Sequence, residues 1–368
     1  MTSSRFGRFA ALLFASALVA AACSSGTATS APTTAPTTAP TTAPSVGASA
    51  PASAAAAPLT VTIIPKAINN PYFDAAKVGA DKAAKELGGT DTQVGPSSAT
   101  EAQASFIQDA TTQGVSAIVI SANDPNAVVP ALTAAKAAGI KIVGYDSSPA
   151  VGSYDVFVNQ ADTPGIGKGL ADMACELAPS CTGEIAVLSA AATATNQNAW
   201  IDAMKTTLTD AQHAGLKLDE VVYGNDDATE STKQAQALLQ KYPKLKVIVS
   251  PTTVGIVAAA QVVEAAGKSD SIKVTGLGTP KGMVAYVKSG TAPEFALWNV
   301  TDLGYLAYQV AAKLVSGEIK GTVGETFTIP SLYSGAPYTI GADSVVVLGP
   351  PFVFNKDNID KYVTDFGF

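Results

Sequence analysis

The sequence predicts an α/β protein of two doubly wound parallel-sheet lobes joined by a hinge. Three observations carry that reading. Short apolar, β-branched runs alternate with stretches of helical length and period, the signature of βαβ units. Glycines close several of the helical stretches, at Gly88–Gly89, Gly114, Gly139, Gly267, Gly290 and Gly317, where the chain needs a left-handed stop. The alternation then begins a second time after about residue 161, in a folded region running from about Leu59 to Phe368, long enough for two cores.

The first 23 residues are not part of the fold. Arg5 and Arg8 precede an apolar run, Phe9–Ala22, of export-signal length rather than membrane-span length. It ends in Leu18-Val19-Ala20-Ala21-Ala22-Cys23, which resembles a bacterial lipobox with Ala20 where a large aliphatic residue is usual. Lipidation of Cys23 would tether the mature protein to the outer face of the membrane (or the periplasmic side) without a spanning helix; the other reading is soluble secretion after Ala22. Residues 24–58 form an Ala/Pro/Thr-rich linker in which an APTT unit repeats from Ala31 to Pro44. It cannot bury a core, and its prolines favour an extended stalk, open to O-glycosylation.

The folded part opens with Thr60–Ile64, whose Val61, Ile63 and Ile64 suit an interior parallel strand. Asn70 is a good N-cap and Pro71 suits a first helical turn, so a helix follows to Leu87. A strand near Asp91–Val94, a helix Glu101–Gln113, a strand Ser116–Ile120, a helix Pro125–Ala138, and strands Ile140–Tyr145 and Val156–Val158 complete the first series. The second series comprises the helix Ile166–Leu177, strand Glu184–Ser189, helix Asn198–Ala211, strand Leu218–Tyr223, helix Thr229–Lys241, strand Val247–Ser250, helix Val254–Ala266, strand Ile272–Gly276, helix Lys281–Lys288 and strand Phe295–Trp298. A long helix, Asp302–Val315, and a strand-like Val345–Leu348 precede the terminal segment. The expected division is residues 59–161 with 300–322 as one lobe and 162–299 with 323–368 as the other.

Composition excludes several functions. A net charge of −7 argues against nucleic acid as a partner. The one histidine, His213, reads as a surface or boundary residue of an amphipathic helix, so histidine triads and zinc sites are not expected. Cys175 and Cys181 are six residues apart in an exported chain, which points to a disulfide; the spacing is not CxxC, so no metal or redox role is expected. Gly165–Gly169 is glycine-rich at a helix start but lacks the GxGxxG spacing and a preceding strand. Ser189 has no base to activate it. The chain is therefore expected to be no enzyme and to need no cofactor.

The residues that can bind a ligand lie at turns. Open α/β sheets bind at the carboxyl ends of their strands. There the first turn presents Lys66 and Asn70, followed by Tyr72 and Phe73. The turn thus presents a cation, an amide and an aromatic pair together. Trp200 reads as core, and Asp226–Asp227 as a solvated loop.

The plan resembles the periplasmic sugar-binding proteins of ABC transporters, the ribose-binding type. The motifs are NNPYF (Asn69–Phe73), GYDSS (Gly144–Ser148), TATNQNAWI (Thr193–Ile201), SPTTVGIVAAAQ (Ser250–Gln261), GLGTP (Gly276–Pro280), FALWN (Phe295–Asn299) with Asp302-Leu303-Gly304-Tyr305, and VLGPPFVFNKDNID (Val347–Asp360). The set looks like the rhamnose-binding subfamily, close to the autoinducer-2 receptors, and covers nearly all of Leu59–Phe368. The resemblance implies a type I periplasmic binding protein fold. At positions where the autoinducer-2 receptors carry lysine, aspartate, an Asp-Gln pair, proline and alanine, this chain has Lys66, Asp146, Asn196-Gln197, Pro251 and Thr253. Asn196 and Thr253 depart from that pattern and favour rhamnose. For a neutral sugar the resemblance implies that Asp146 accepts from two neighbouring hydroxyls, that Asn70, Asn196, Gln197 and Asn299 each give and take a hydrogen bond, and that Tyr72, Phe73 and Trp298 offer stacking faces. The expected function is an extracytoplasmic, monomeric lipoprotein that closes its lobes on a small neutral sugar and delivers it to an ABC permease. Alternatives are an autoinducer-2 receptor, a binding protein for another small sugar, or a sensor delivering its ligand to a membrane receptor; neighbouring permease or kinase genes would separate transport from sensing.

Overall fold

A computed structural model of the chain describes residues 58–368. The export signal, Cys23 and all but the last residue of the 24–58 linker lie outside the described residues. The first series runs β1 (Thr60–Ile64), α1 (Pro71–Leu87), β2 (Thr90–Gln93), α2 (Ala104–Gln113), β3 (Ala117–Ile120), α3 (Val129–Ala137), β4 (Lys141–Tyr145) and β5 (Val156–Asn159). The second runs α4 (Thr163–Leu177), β6 (Gly183–Ser189), α5 (Thr195–Thr207), β7 (Leu216–Tyr223), α6 (Ala228–Lys241), β8 (Leu245–Ser250), α7 (Thr253–Ala265), β9 (Lys273–Gly276), α8 (Pro280–Ser289) and β10 (Glu294–Leu297). There follow α9 (Val300–Ser316), the hairpin β11 (Thr326–Thr328) and β12 (Pro337–Thr339), then β13 (Val345–Val347), β14 (Phe352–Asn355) and α10 (Ile359–Phe366).

Two parallel sheets result. One has the order β13-β5-β4-β3-β1-β2 and the other β7-β6-β8-β9. In each, the first strand of its series lies between the second and third, so each sheet has a point where the strand order reverses, and loops on either side of it leave a crevice. Alternate residues of the first sheet face opposite layers. Val61, Ile63, Val119 and Val143 pack with α1 and α9, while Ile64, Ile118, Ile120 and Ile142 pack with Ile107 of α2 and Leu132 of α3. This two-sided burial explains the unbroken β-branched runs. The architecture is the parallel, doubly wound α/β plan expected from the sequence.

The α1–α9 contact depends on two glycines. A Cβ on Gly79 would stand 1.8 Å from Thr301 O, and one on Gly304 1.9 Å from Ala76 O. Only glycine lets the two backbones approach so closely. This packing returns α9 to the first half after β10. The halves are joined by three connections, 160–162, 298–299 and 348–351.

The structure differs from the sequence reading at several points. β13 pairs parallel with β5, Val346 opposite Val158, so Val345–Val347 joins the first sheet, although 323–368 was expected in the second half. The open edge of β5 offers this short β-branched run hydrogen-bond partners. β14 returns to the second half but pairs antiparallel with β10, so that half is not wholly parallel. α5 begins three residues early and ends at Thr207. His213 therefore lies in a turn, not a helix, and is 1% exposed, with Nε2 2.9 Å from Asp172 Oδ1 of α4; the expected surface residue is buried because the turn folds back over α4. Cys175 and Cys181 are joined by a disulfide at the edge of the second half farthest from the carboxyl ends of its strands.

Candidate functional site

Loops from both sheets meet at the carboxyl ends of their strands. After β1, the Asn70 side chain caps α1 by accepting from Tyr72 N at 3.0 Å. That cap sets Tyr72 and Phe73 on the first turn, pointing inward, both buried. Tyr72 OH donates to Asp146 Oδ1 at 3.1 Å and accepts from Trp298 Nε1 at 3.0 Å. Its ring meets Phe73 and Trp298 edge to face, at 5.1 and 6.2 Å between centroids. Burial and then the charge of Asp146 push the Tyr72 hydroxyl well above the usual tyrosine range, so it works as a neutral donor.

Asp146 follows β4 with φ +58°, a left-handed conformation that aspartate tolerates better than most residues. Its Oδ2 accepts from Ser121 Oγ at 2.7 Å and lies 3.8 Å from Lys66 Nζ. Lys66 and Asp146 side chains are 5% and 6% exposed, so the pair is buried and each charge depends on the other.

The second half supplies Asn196, in the first turn of α5. Its Nδ2 donates to Asp146 Oδ1 at 3.2 Å, and its Oδ1 accepts from Lys66 Nζ at 3.3 Å. Asn196 therefore bridges the two halves instead of capping the helix, whose N-cap is Ala194. A Ser147–Thr195 hydroxyl contact of 3.1 Å lies beside it. Gln197 Oε1 accepts from Ser189 Oγ at 2.7 Å and Ala190 N at 2.8 Å, so the Ser189 hydroxyl is engaged in holding Gln197. Pro251 and Thr253 complete the wall at the start of α7.

Ten of the eleven expected ligand residues thus line one pocket: Lys66, Asn70, Tyr72, Phe73, Asp146, Asn196, Gln197, Pro251, Thr253 and Trp298. Asn299 does not. Its side chain caps α9, accepting from Thr301 N and Asp302 N at 3.1 and 3.3 Å. Trp200, Asp226, Thr252, Leu277 and Leu297 also line the pocket. Trp200 was read as core, and it is both: 2% exposed, with its ring 5.7 Å from that of Trp298. Asp226, read as part of a solvated loop, is half-buried, and its Oδ1 accepts from Thr252 Oγ1. Burial raises its carboxyl above the usual range, against the opposing pull of Lys66. The neighbouring Asp227 instead caps α6, accepting from Glu230 N at 2.7 Å. Among the described residues, no group of histidine, cysteine, aspartate or glutamate is placed to hold a metal.

The pocket has a cavity volume of about 30 Å³, far below the roughly 300–1,000 Å³ of open ligand pockets. A polyhydroxylated ligand must therefore part the bridging bonds of Asn196 and exchange them for its own. A wider cleft of about 840 Å³ opens outside the pocket; Asn70, Asp226 and Thr253 line both spaces.

Known proteins are similar to this chain. The model of the periplasmic binding protein domain matches residues 61–319. An ABC transporter solute-binding protein from Clostridium phytofermentas, solved with bound L-rhamnose, is 41% identical with a TM-score of 0.81, over 84% of this chain and 99% of that one. LsrB from Clostridium saccharobutylicum, in complex with AI-2, is 25% identical with a TM-score of 0.76, over 83% and 99%. The D-ribose/D-allose-binding protein of Pseudomonas aeruginosa is 26% identical over 275 residues, 70% of this chain and 82% of that one.

Proposed function

The chain belongs to the periplasmic binding protein domain family, and from that premise we propose that it captures L-rhamnose. It is a sugar-binding component of an ABC transporter that works outside the cytoplasm, acts by binding rather than catalysis, and serves a membrane permease. The observation that carries the rhamnose assignment is the 41% identity to a rhamnose-bound protein over 84% of this chain. The pocket supports it. Lys66, Asn70 and Gln197 can donate to hydroxyls and carboxylates can accept, while Leu277, Leu297 and Trp200 form an apolar wall suited to the methyl group of a 6-deoxy sugar.

The mechanism is hinge closure. The ligand contacts both halves only when they are together, so those contacts favour the closed form by differential binding. Here the halves are residues 59–161 with 300–347, and residues 162–299 with 348–368. The protein acts as a monomer, and lipidation of Cys23 holds it at the membrane; Cys23→Ser should release it from the membrane fraction.

A second reading, the autoinducer-2 receptor, is favoured by Lys66, Asp146, Gln197 and Pro251, which fit that site, and opposed by Asn196 and Thr253. Calorimetric titration of the processed protein with rhamnose, ribose and autoinducer-2 decides between them. Heat with rhamnose alone is expected; none with rhamnose but clear binding of another ligand overturns the assignment.

A further inference from the structure

The polar groups of the pocket are not equally available to a ligand. Asp146 already accepts from Tyr72, Asn196 and Ser121 and faces Lys66, which occupies most of the roughly four acceptor positions of a carboxylate. Asn196 uses both ends of its amide, and Gln197 uses its oxygen. What these side chains leave over is mainly donors: Asn70 Nδ2, Gln197 Nε2 and the remaining protons of Lys66. Each sugar hydroxyl carries a proton that also needs an acceptor once it is desolvated. Asp226 supplies one. Thr252 holds its Oδ1, and among the described residues nothing donates to Oδ2. The residue stands where the pocket meets the outer cleft.

We propose that Asp226 is a further ligand-binding residue, whose Oδ2 accepts a hydroxyl proton of the bound sugar at the pocket mouth and so selects among hydroxyl patterns. The proposal rests on the sugar-binding reading. Thr252 acts as a positioning residue, fixing the carboxylate so that Oδ2 faces the ligand. The charged groups around Asp226 are Lys66, which attracts it, and Asp146, which repels it. The backbone at 226 has φ +51°, which asparagine also accepts, so Asp226→Asn removes the charge without straining the loop.

The test is calorimetric, on the processed wild-type protein, Asp226→Asn, Thr252→Val, and Asp227→Asn as a neighbouring-charge control that keeps a good helix cap. Rhamnose and its monodeoxy analogues are the probes. Asp226→Asn should bind rhamnose about 10- to 100-fold more weakly, the range for a hydrogen bond to a charged group, with Thr252→Val losing less and Asp227→Asn unchanged. One deoxy analogue should bind the wild type poorly yet match rhamnose on Asp226→Asn. Rhamnose binding by Asp226→Asn within twofold of the wild type, or the same deoxy penalties in both proteins, overturns the proposal. If rhamnose gives no heat with the wild type while ribose or autoinducer-2 does, the rhamnose assignment falls and the same comparison, run with that ligand, decides Asp226. Silence from all three overturns both.

Discussion

Replacing Asp146 by alanine should weaken the fold as well as the binding site. Asp146 and Lys66 are 3.8 Å apart and almost fully buried. At an effective dielectric near 20, two unit charges at that distance attract by about 4 kcal/mol. Most of that only offsets the loss of hydration of both groups, so the pair adds little net stability. Removing one partner is different, because Lys66 stays buried without its counter-ion; that costs about 3–5 kcal/mol. The Ser121 and Tyr72 hydroxyls lose their acceptor as well. Asp146→Ala should therefore unfold in urea with a stability lowered by about 3–5 kcal/mol, and melt roughly 10 °C lower. Lys66→Met should lower stability by less, since Asp146 keeps its three donors. The double variant, Asp146→Ala with Lys66→Met, should be more stable than the sum of the single losses predicts, by at least about 1 kcal/mol. Urea unfolding at constant m-value measures all three. A single Asp146→Ala loss below about 1 kcal/mol, or strict additivity, would refute the reasoning.

Other outcomes follow from the same structure. Exchanging Cys175 and Cys181 for serine opens a loop of six-residue separation, worth about 2 kcal/mol in the chain-entropy account; the melting temperature should fall by several degrees while sugar affinity stays the same, and a changed affinity would contradict the distance of the bridge from the site. Gly304→Ala drives a methyl into Ala76 O and should cost about 3 kcal/mol or more, whereas Gly169→Ala, with nothing within 4 Å of the new Cβ, should be neutral or stabilising in the same melt. Burial raises the Asp226 carboxyl above its unfolded value. Its contribution to stability is then largest below the unfolded pKa and declines as pH rises through the folded one. Asp226→Asn should melt higher than the wild type at pH 7, the gap closing towards about pH 3.5; an equal gap at both pH values contradicts this.

Much of the fold was legible from the sequence because its signals are local. Asn70, Pro71 and the glycine after α1 mark a helix wherever the chain goes, and β-branched runs mark buried strands. The loops after β1, β4, β6 and β8 could be named for the same reason, since ligand residues cluster at strand ends. Pairing is not local. Nothing within Val345–Val347 says that its partner is β5 across the connection to the first sheet, and nothing near His213 announces Asp172 on α4.

The sequence by itself thus determined two βαβ series, the Asn70 cap, the glycine stops of several helices and ten of the residues that line the pocket. Only the tertiary structure decided what each of them can do there. Asn299 is drawn into a helix cap, Asn196 becomes a bridge between the halves, and Asp146 is engaged by protein donors. Asp226 and Trp200 enter the site from stretches that read as loop and core. The physical reason is that a side chain's hydrogen-bonding capacity is a local property, but which partners consume it depends on chain segments far away in sequence.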